Sequence, residues 1–294
     1  QLHLNDLFDV TEPLTEIVIP VEIEASSMGL FGQIDYPLTE SLTLIAGIRY
    51  NKDKKDVLSG LLFPAFGIVA PDGGPVIASD DEQEWTKTTG KLGFDYQLND
   101  DILVYLTYST GYKSGGYNLT QADSYAPESV DAFEAGLKSV WLDNRVQSNL
   151  SAFYYDYEDK QEFTRDPVVG TTNLINSGKA EIYGLELEVS APLSEGLSID
   201  SSISYTEAEY DEFFTEDESR PELGLQDLNG NQLPRSPKWK AYLGIEYKWN
   251  IEGNGQLSAR IDTSWVDKQY SAYYNRDKDI LNAYNRTNAR FTWD

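Results

Sequence analysis

The sequence predicts an all-β chain: an antiparallel up-and-down transmembrane β-barrel, present in part, with about 11 strands. Three observations carry this. Apolar residues recur at every second position over long runs, short connections alternate with long ones, and aromatic residues gather at both ends of the runs.

The runs are clearest in the second half of the chain. Tyr183, Leu185, Leu187, Val189 and Ala191 alternate with Gly184, Glu186, Glu188 and Ser190. Leu197, Ile199, Ile203 and Tyr205 alternate with Ser198, Asp200, Ser202 and Ser204. Trp239, Ala241, Leu243, Ile245, Tyr247 and Trp249 stand against Lys238, Lys240 and Glu246, and Leu257, Ala259, Ile261 and Trp265 against Gln256, Arg260, Asp262 and Ser264. Noisier runs precede them: Leu42, Leu44, Ala46, Ile48 and Tyr50, then Phe133, Ala135, Leu137 and Trp141. Successive side chains of a strand point to opposite faces, so each run gives one apolar and one polar face. Runs of roughly 9–13 residues exceed the ~5–6 usual in soluble strands and match a tilted bilayer crossing.

The connections order these strands. Pro37 to Ser41, Asn99 to Asp101, Asp143-Asn144, Pro192 to Gly196 and Asn250 to Gly255 are tight and carry turn-forming residues. Long, polar connections that read as irregular lie between them, near residues 52–84, 111–130, 158–180, 210–236 and 268–283. Strict alternation places all long loops at one end, as in outer-membrane barrels, whereas Greek-key crossovers scramble the ends. Tyr36, Tyr96, Trp141, Trp249 and Trp293 fall beside tight turns, and Tyr50, Trp85, Tyr108, Tyr154, Trp239 and Trp265 near the long loops. Two aromatic girdles around an apolar band are expected at the membrane interfaces.

Composition narrows function. The 294 residues carry 49 Asp+Glu against 23 Lys+Arg, a formal charge of −26. So acidic a surface repels phosphate, and nucleic acid is not expected as a partner. Zero cysteine excludes disulfides and thiol chemistry, and a single histidine, His3, argues against a Ser/His/Asp triad or a multi-histidine metal site. No catalytic, cofactor or metal residue is assigned, and the chain is not expected to be an enzyme. Mean hydropathy is −0.47. No run approaches the ~18 apolar residues of a membrane helix, but a barrel wall with one wet face is polar on average too. No signal peptide is read at Gln1.

Specific segments resemble one family. Gly111 to Asn118 (GYKSGGYN), entered by Tyr105 to Thr110 (YLTYST), is similar to the G-[FY]-K-S-G-G-[FY]-N segment of TonB-dependent outer-membrane receptors. Ala126-Pro127-Glu128, then Glu134 and Gly136 to Ser139, resembles that family's next strand, and Arg145 to Gln161 the one after it. Asn176, Gly178, Ala180, Gly184, Glu186 and Glu188 fit its N.G.A…GLE.E pattern, Arg235-Ser236-Pro237 its proline-marked loop return, and Phe31 to Tyr50 an earlier hairpin. The resemblance covers residues 29–294, read as a partial receptor barrel domain. Residues 1–28 read as an outer loop or strand remnant. The family's barrel has about 22 strands around a plug, so about half would be present.

The resemblance implies a receptor in the outer membrane of a Gram-negative bacterium. Its expected role is TonB-coupled uptake of a scarce nutrient, foremost a ferric siderophore. The implied partners are outer-membrane lipid, the small-molecule ligand and, through an N-terminal plug region not found in this sequence, the TonB complex. Two other readings stay open at this point: a soluble or secreted acidic β-domain that binds carbohydrate, and a passive porin.

Several clusters invite chemistry. Lys113-Ser114-Gly115-Gly116 reads either as a ligand- or plug-facing surface or as a glycine pair that lets a strand bend. Asp80-Asp81-Glu82 with Glu84, and Asp211-Glu212 through Glu216-Asp217-Glu218, read as Ca²⁺ ligands or as solvated loop charge. Glu186 with Glu188, and Glu207 with Glu209, pair on strand faces and read either as the carboxylate pair a glycosidase uses or as ordinary lumen-facing polar residues. The expected direction is the lumen, shared with Lys238, Lys240, Arg260 and Asp262. The apolar loop piece Leu61 to Val69 reads either as a surface packed on neighbouring loops or as a contact for a hydrophobic ligand.

Overall fold

The computed structural model describes residues 20–61, 70, 76–118, 124–143, 145–165, 172–217, 220–253 and 255–293. The runs identified above become long strands: β1 (Val21–Pro37), β2 (Leu42–Leu61), β3 (Val76–Asn99), β4 (Ile102–Lys113), β7 (Glu128–Trp141), β8 (Val146–Glu158), β11 (Lys179–Pro192), β12 (Leu197–Glu212), β15 (Trp239–Ile251), β16 (Gly255–Val266) and β19 (Tyr284–Trp293). They form one 11-stranded sheet in sequential order. Every neighbouring pair is antiparallel. This is the expected up-and-down wall, with no Greek-key crossover among the described residues.

Register shows how the wall is built. One row of directly opposed residues runs Leu42, Tyr96, Val104, Leu137, Leu150, Leu187, Ile203, Ala241 and Trp265. Opposed residues share a face, and all of these are apolar or aromatic. The neighbouring row on the other face runs Gly136, Ser151, Glu186, Ser204 and Lys240. One face is therefore apolar across nearly the whole sheet, and the other is polar or small.

The apolar row also climbs. It starts at the first residue of β2, at the tight-turn end, and reaches β16 at Trp265, ten residues past Gly255 (265 − 255) and beside the long-loop end. Such progressive stagger tilts the strands against the barrel axis, as a curving wall requires. β1 and β19 form the two edges of this sheet, and no ladder joins them among the described residues. β1 is continuous through Met28 and Gly29, so the expected division there falls inside a strand.

The long connections are not irregular. β2 and β3 stay paired up to Leu61 and Val76, far beyond the band marked by Tyr50. The other four carry short ladders of their own: β5 (Gly116–Tyr117) with β6 (Ser124–Tyr125), β9 (Gln161–Arg165) with β10 (Thr172–Asn176), β13 (Phe214–Glu216) with β14 (Leu225–Asp227), and β17 (Gln269–Tyr270) with β18 (Ile280–Leu281). Polar composition concealed them, because their partners are other loop residues rather than a patterned wall.

A buried apolar cluster lies at this end. Ala180, Ala208, Tyr210, Phe213, Leu228 and Leu233 are buried together, with Tyr157, Ile175, Ile182, Tyr273 and Tyr274 packed against them. The wall itself has no such core, because its apolar side chains stand exposed on one face: Leu185, Ile203, Ile261 and Phe291 among them. Exposed apolar surface on this scale needs a non-aqueous neighbour.

Candidate functional site

The polar face and the loop end are where this fold can meet a solute. On the polar face, Arg260 donates to Asp200 at 3.1 Å and to the Tyr242 hydroxyl at 2.8 Å, and lies 3.8 Å from Glu246. Ser190 donates to the other oxygen of Asp200. Further along, Tyr105 donates to Glu134 at 2.5 Å and Lys138 lies over the Tyr105 ring. Asn288 donates to Asp262 at 2.8 Å. Glu186, Glu188, Lys240, Arg260 and Asp262 all belong to this face, as expected.

Glu207 and Glu209 do not. Glu207 stands opposite Tyr183 and Glu209 opposite Glu181, on the apolar face, just past the aromatic residues at the loop end. Lys238 follows them there: it bonds Glu207 and lies 3.9 Å from Glu209. These three belong outside the barrel mouth rather than in the lumen. The reason is parity. Glu207 and Glu209 continue the odd positions of β12, which are apolar lower down, and Lys238, just before β15, is held there by its ion pair with Glu207.

The loop-end girdle holds with one exception. Tyr108, Phe133, Tyr154 and Tyr183 lie in one row on the apolar face, and the Tyr108–Phe133 and Phe133–Tyr154 rings are in contact. The hydroxyls of Tyr108 and Tyr154 reach up to Asp131 and Glu181, each at 2.7 Å. Rings toward the band and phenols toward carboxylates suit an interface. Trp85 is the exception. It stands opposite Asp53, on the opposite parity to Tyr50, and meets Tyr117 edge-on at 6.5 Å.

Trp85 supports the Lys113 to Gly116 segment. Lys55 donates to the Gly115 carbonyl at 2.6 Å and lies over the Trp85 ring. A Cβ on Gly115 would meet the Tyr125 backbone carbonyl first and the Trp85 ring at 2.7 Å. The glycines thus serve a close approach between loop backbone and aromatic rings, a role distinct from both the ligand- or plug-facing surface and the strand bend read from sequence. Burial holds the Lys55 ammonium below its usual pKa.

The acidic clusters are dispersed. Glu84 pairs with Lys52 at 2.8 Å, Glu82 with Lys54 at 3.0 Å, and Asp81 accepts from Tyr117 at 3.0 Å. Glu82 and Glu84 share one face of β3 but each is engaged by its own lysine, and Asp81 points to the other face, so they do not converge on one point. Asp217 departs from the solvated-charge reading. It is 2% exposed, accepts from Arg220 at 3.0 Å and is bonded by Arg276. Among the described residues no group of three or more His, Cys, Asp or Glu is placed to hold a metal ion. The apolar piece from Leu61 to Val69 lies outside the described residues, apart from the backbone of Leu61.

Sequence reasoning missed three asparagines. Asn118 accepts from the Leu174 N–H at 2.6 Å and donates to the Leu174 carbonyl at 2.8 Å. Asn176 does the same with Ala126, at 2.8 and 3.0 Å. Asn275 does so with Gln232, at 2.6 and 2.9 Å. Asn118 and Asn176 stood inside the motif segments already singled out. Nothing local marks Asn275 except a left-handed backbone, φ 53°, which asparagine tolerates.

Comparison with known proteins agrees with this geometry. Residues 4–294 match the family model described as TonB dependent receptor-like, beta-barrel. The pesticin receptor of Yersinia enterocolitica is 28% identical over 252 residues, covering 84% of this chain and 34% of that protein. The ferric-pyoverdine M114 receptor PbuA of a Pseudomonas species is 26% identical over 190 residues, covering 64% of this chain and 22% of that protein. The chain thus spans about a third or less of these relatives. Among solved structures, the ferric yersiniabactin uptake receptor FyuA of Yersinia pestis superposes with a TM-score of 0.76 at 21% identity, over 94% of this chain and 39% of that one. The ferric-catecholate import receptor Fiu of Escherichia coli K12 gives 0.70 at 17%, over 93% and 39%.

Proposed function

The chain belongs to the TonB-dependent receptor β-barrel family, and from that premise we propose that it is wall and loop structure of an outer-membrane receptor that imports a scarce nutrient, foremost a ferric siderophore. The observation that carries this reading is the register row from Leu42 to Trp265. It is apolar on one face, while charged groups such as Glu186, Lys240 and Arg260 occupy the other. Such a sheet separates lipid from water.

In this reading the apolar face contacts outer-membrane lipid and the long loops face outward. The two sheet edges pair with strands outside these residues, since an unpaired edge in hydrocarbon costs several kcal/mol per group. A barrel of this class is wide enough to need a plug. The polar face would contact that plug, and TonB acting on it would supply the energy. Relatives whose names refer to ferric siderophores favour an iron chelate as cargo. The sequential strand order argues against the carbohydrate-binding sandwich, and the family argues against a passive pore.

The test is transport. Deleting the complete gene in its host should abolish uptake of radiolabelled iron supplied as one of a panel of ferric siderophores. The gene in trans should restore uptake, and a proton uncoupler should remove it again. Uptake that survives the uncoupler would identify a passive pore. A full-length product that is monomeric and stable without detergent would reject a membrane barrel.

A further inference from the structure

We infer that the four loops around residues 111–130, 158–180, 210–236 and 268–283 form a single cooperative cap, stitched by the carboxamides of Asn118, Asn176 and Asn275. Each carboxamide donates to the carbonyl and accepts from the N–H of one residue in the neighbouring loop. That pair of bonds is what a strand residue offers its partner. An asparagine used this way lets two loops pair without regular strand backbone. It satisfies a donor and an acceptor that would otherwise need water.

The stitches form a chain. Asn118 and Asn176 join the first loop to the second, and Gln161 adds bonds to the Ser114 and Ala126 carbonyls at 3.0 and 3.1 Å. The second loop meets the third where Tyr210 donates to Glu162 at 2.7 Å, with Ile175 packed on the buried cluster. The third meets the fourth through Asn275, through the Phe213–Tyr273 ring contact at 5.1 Å, and through Arg276 bonded to Asp217. No loop is held by the wall alone. Loss of one stitch exposes groups in two loops and loosens the cluster they share, so opening is concerted. This inference stands whatever the receptor transports.

Hydrogen exchange on the full-length protein in detergent micelles tests it, with the wall amides of Leu137 and Leu150 as reference. Asn275→Asp keeps shape and acceptor but removes the donor. It should speed exchange at least tenfold in peptides containing Gln232 and Tyr273, and also at Leu174 and Ser177, two loops away. Asn118→Asp, at the far end, should speed exchange at Leu228 and Leu233. Wall amides should be unchanged in both. Acceleration confined to the two loops each asparagine touches would overturn the single cap, as would acceleration that spreads into the wall. Heat-modifiable gel migration identifies a variant that fails to form a barrel, and the other variant then decides.

Discussion

Arg276 bonds the Asp217 carboxylate, 59 residues earlier in the chain, and also holds Asp279 at 3.0 Å. One guanidinium thereby ties two outer loops at a point where Asp217 is almost fully buried. Its ring contact with Tyr274, 4.4 Å from the centroid, covers the other side. A buried carboxylate is tolerated only with such partners.

Removing this cation should therefore be costly. Arg276→Met is expected to destabilise the cap by about 3 kcal/mol, the lower end of about 3–5 for unpairing a buried ion, because Arg220 still reaches Asp217. Protease nicking of the 210–236 loop in intact barrels should rise about 100-fold. Wild-type nicking rates would show that the pair is dispensable.

The face assignment predicts a contrast between adjacent residues. Leu187 lies in the apolar row and Glu188 on the polar face. Leu187→Arg should cost about 2–4 kcal/mol in denaturant unfolding from lipid vesicles. Glu188→Arg should change stability by less than about 1 kcal/mol, as a surface substitution would. Equal effects would contradict the assignment.

Close approach at Gly115 predicts a second contrast. Gly115→Ala drives a methyl against the Tyr125 carbonyl and the Trp85 ring, whereas Gly32→Ala meets nothing within 4 Å. The first should cost about 1–3 kcal/mol and shift Trp85 fluorescence. The second should be neutral in both readouts.

Burial first, and then the Glu162 carboxylate it bonds, hold the Tyr210 phenol above its usual pKa near 10. A raised folded pKa means the native state binds the proton more tightly. Its contribution is complete below pH 10, declines as pH rises beyond that, and is lost above the folded value. Alkaline titration followed by tyrosinate absorbance should show a phenol that ionises late and together with cap opening. Tyr210→Phe should remove that coupled step. Persistence of the step in the variant would assign it to another tyrosine.

The wall was legible because its information is local. A strand with one apolar face shows it within one run, as Tyr183 to Ala191 does, and tight turns carry their own residues. The girdle was legible to within one residue, Trp85, whose parity was masked by the absence of clean alternation between Val76 and Thr88. Charge misled for Glu207, Glu209 and the Lys238 that pairs with them. Charged residues were read as lumenal, yet above the apolar band the outward face is wet too.

Sequence by itself determined the fold class, the strand order, the apolar and polar faces and the family. Each of these repeats along the chain or follows from alternation. The tertiary structure alone decided the cap. Asn118 finds Leu174 across 56 residues, Asn275 finds Gln232 across 43, and Asp217 is buried by an arginine 59 residues away. No periodicity encodes such pairs, because a loop backbone group takes whatever donor or acceptor the fold brings within about 3 Å.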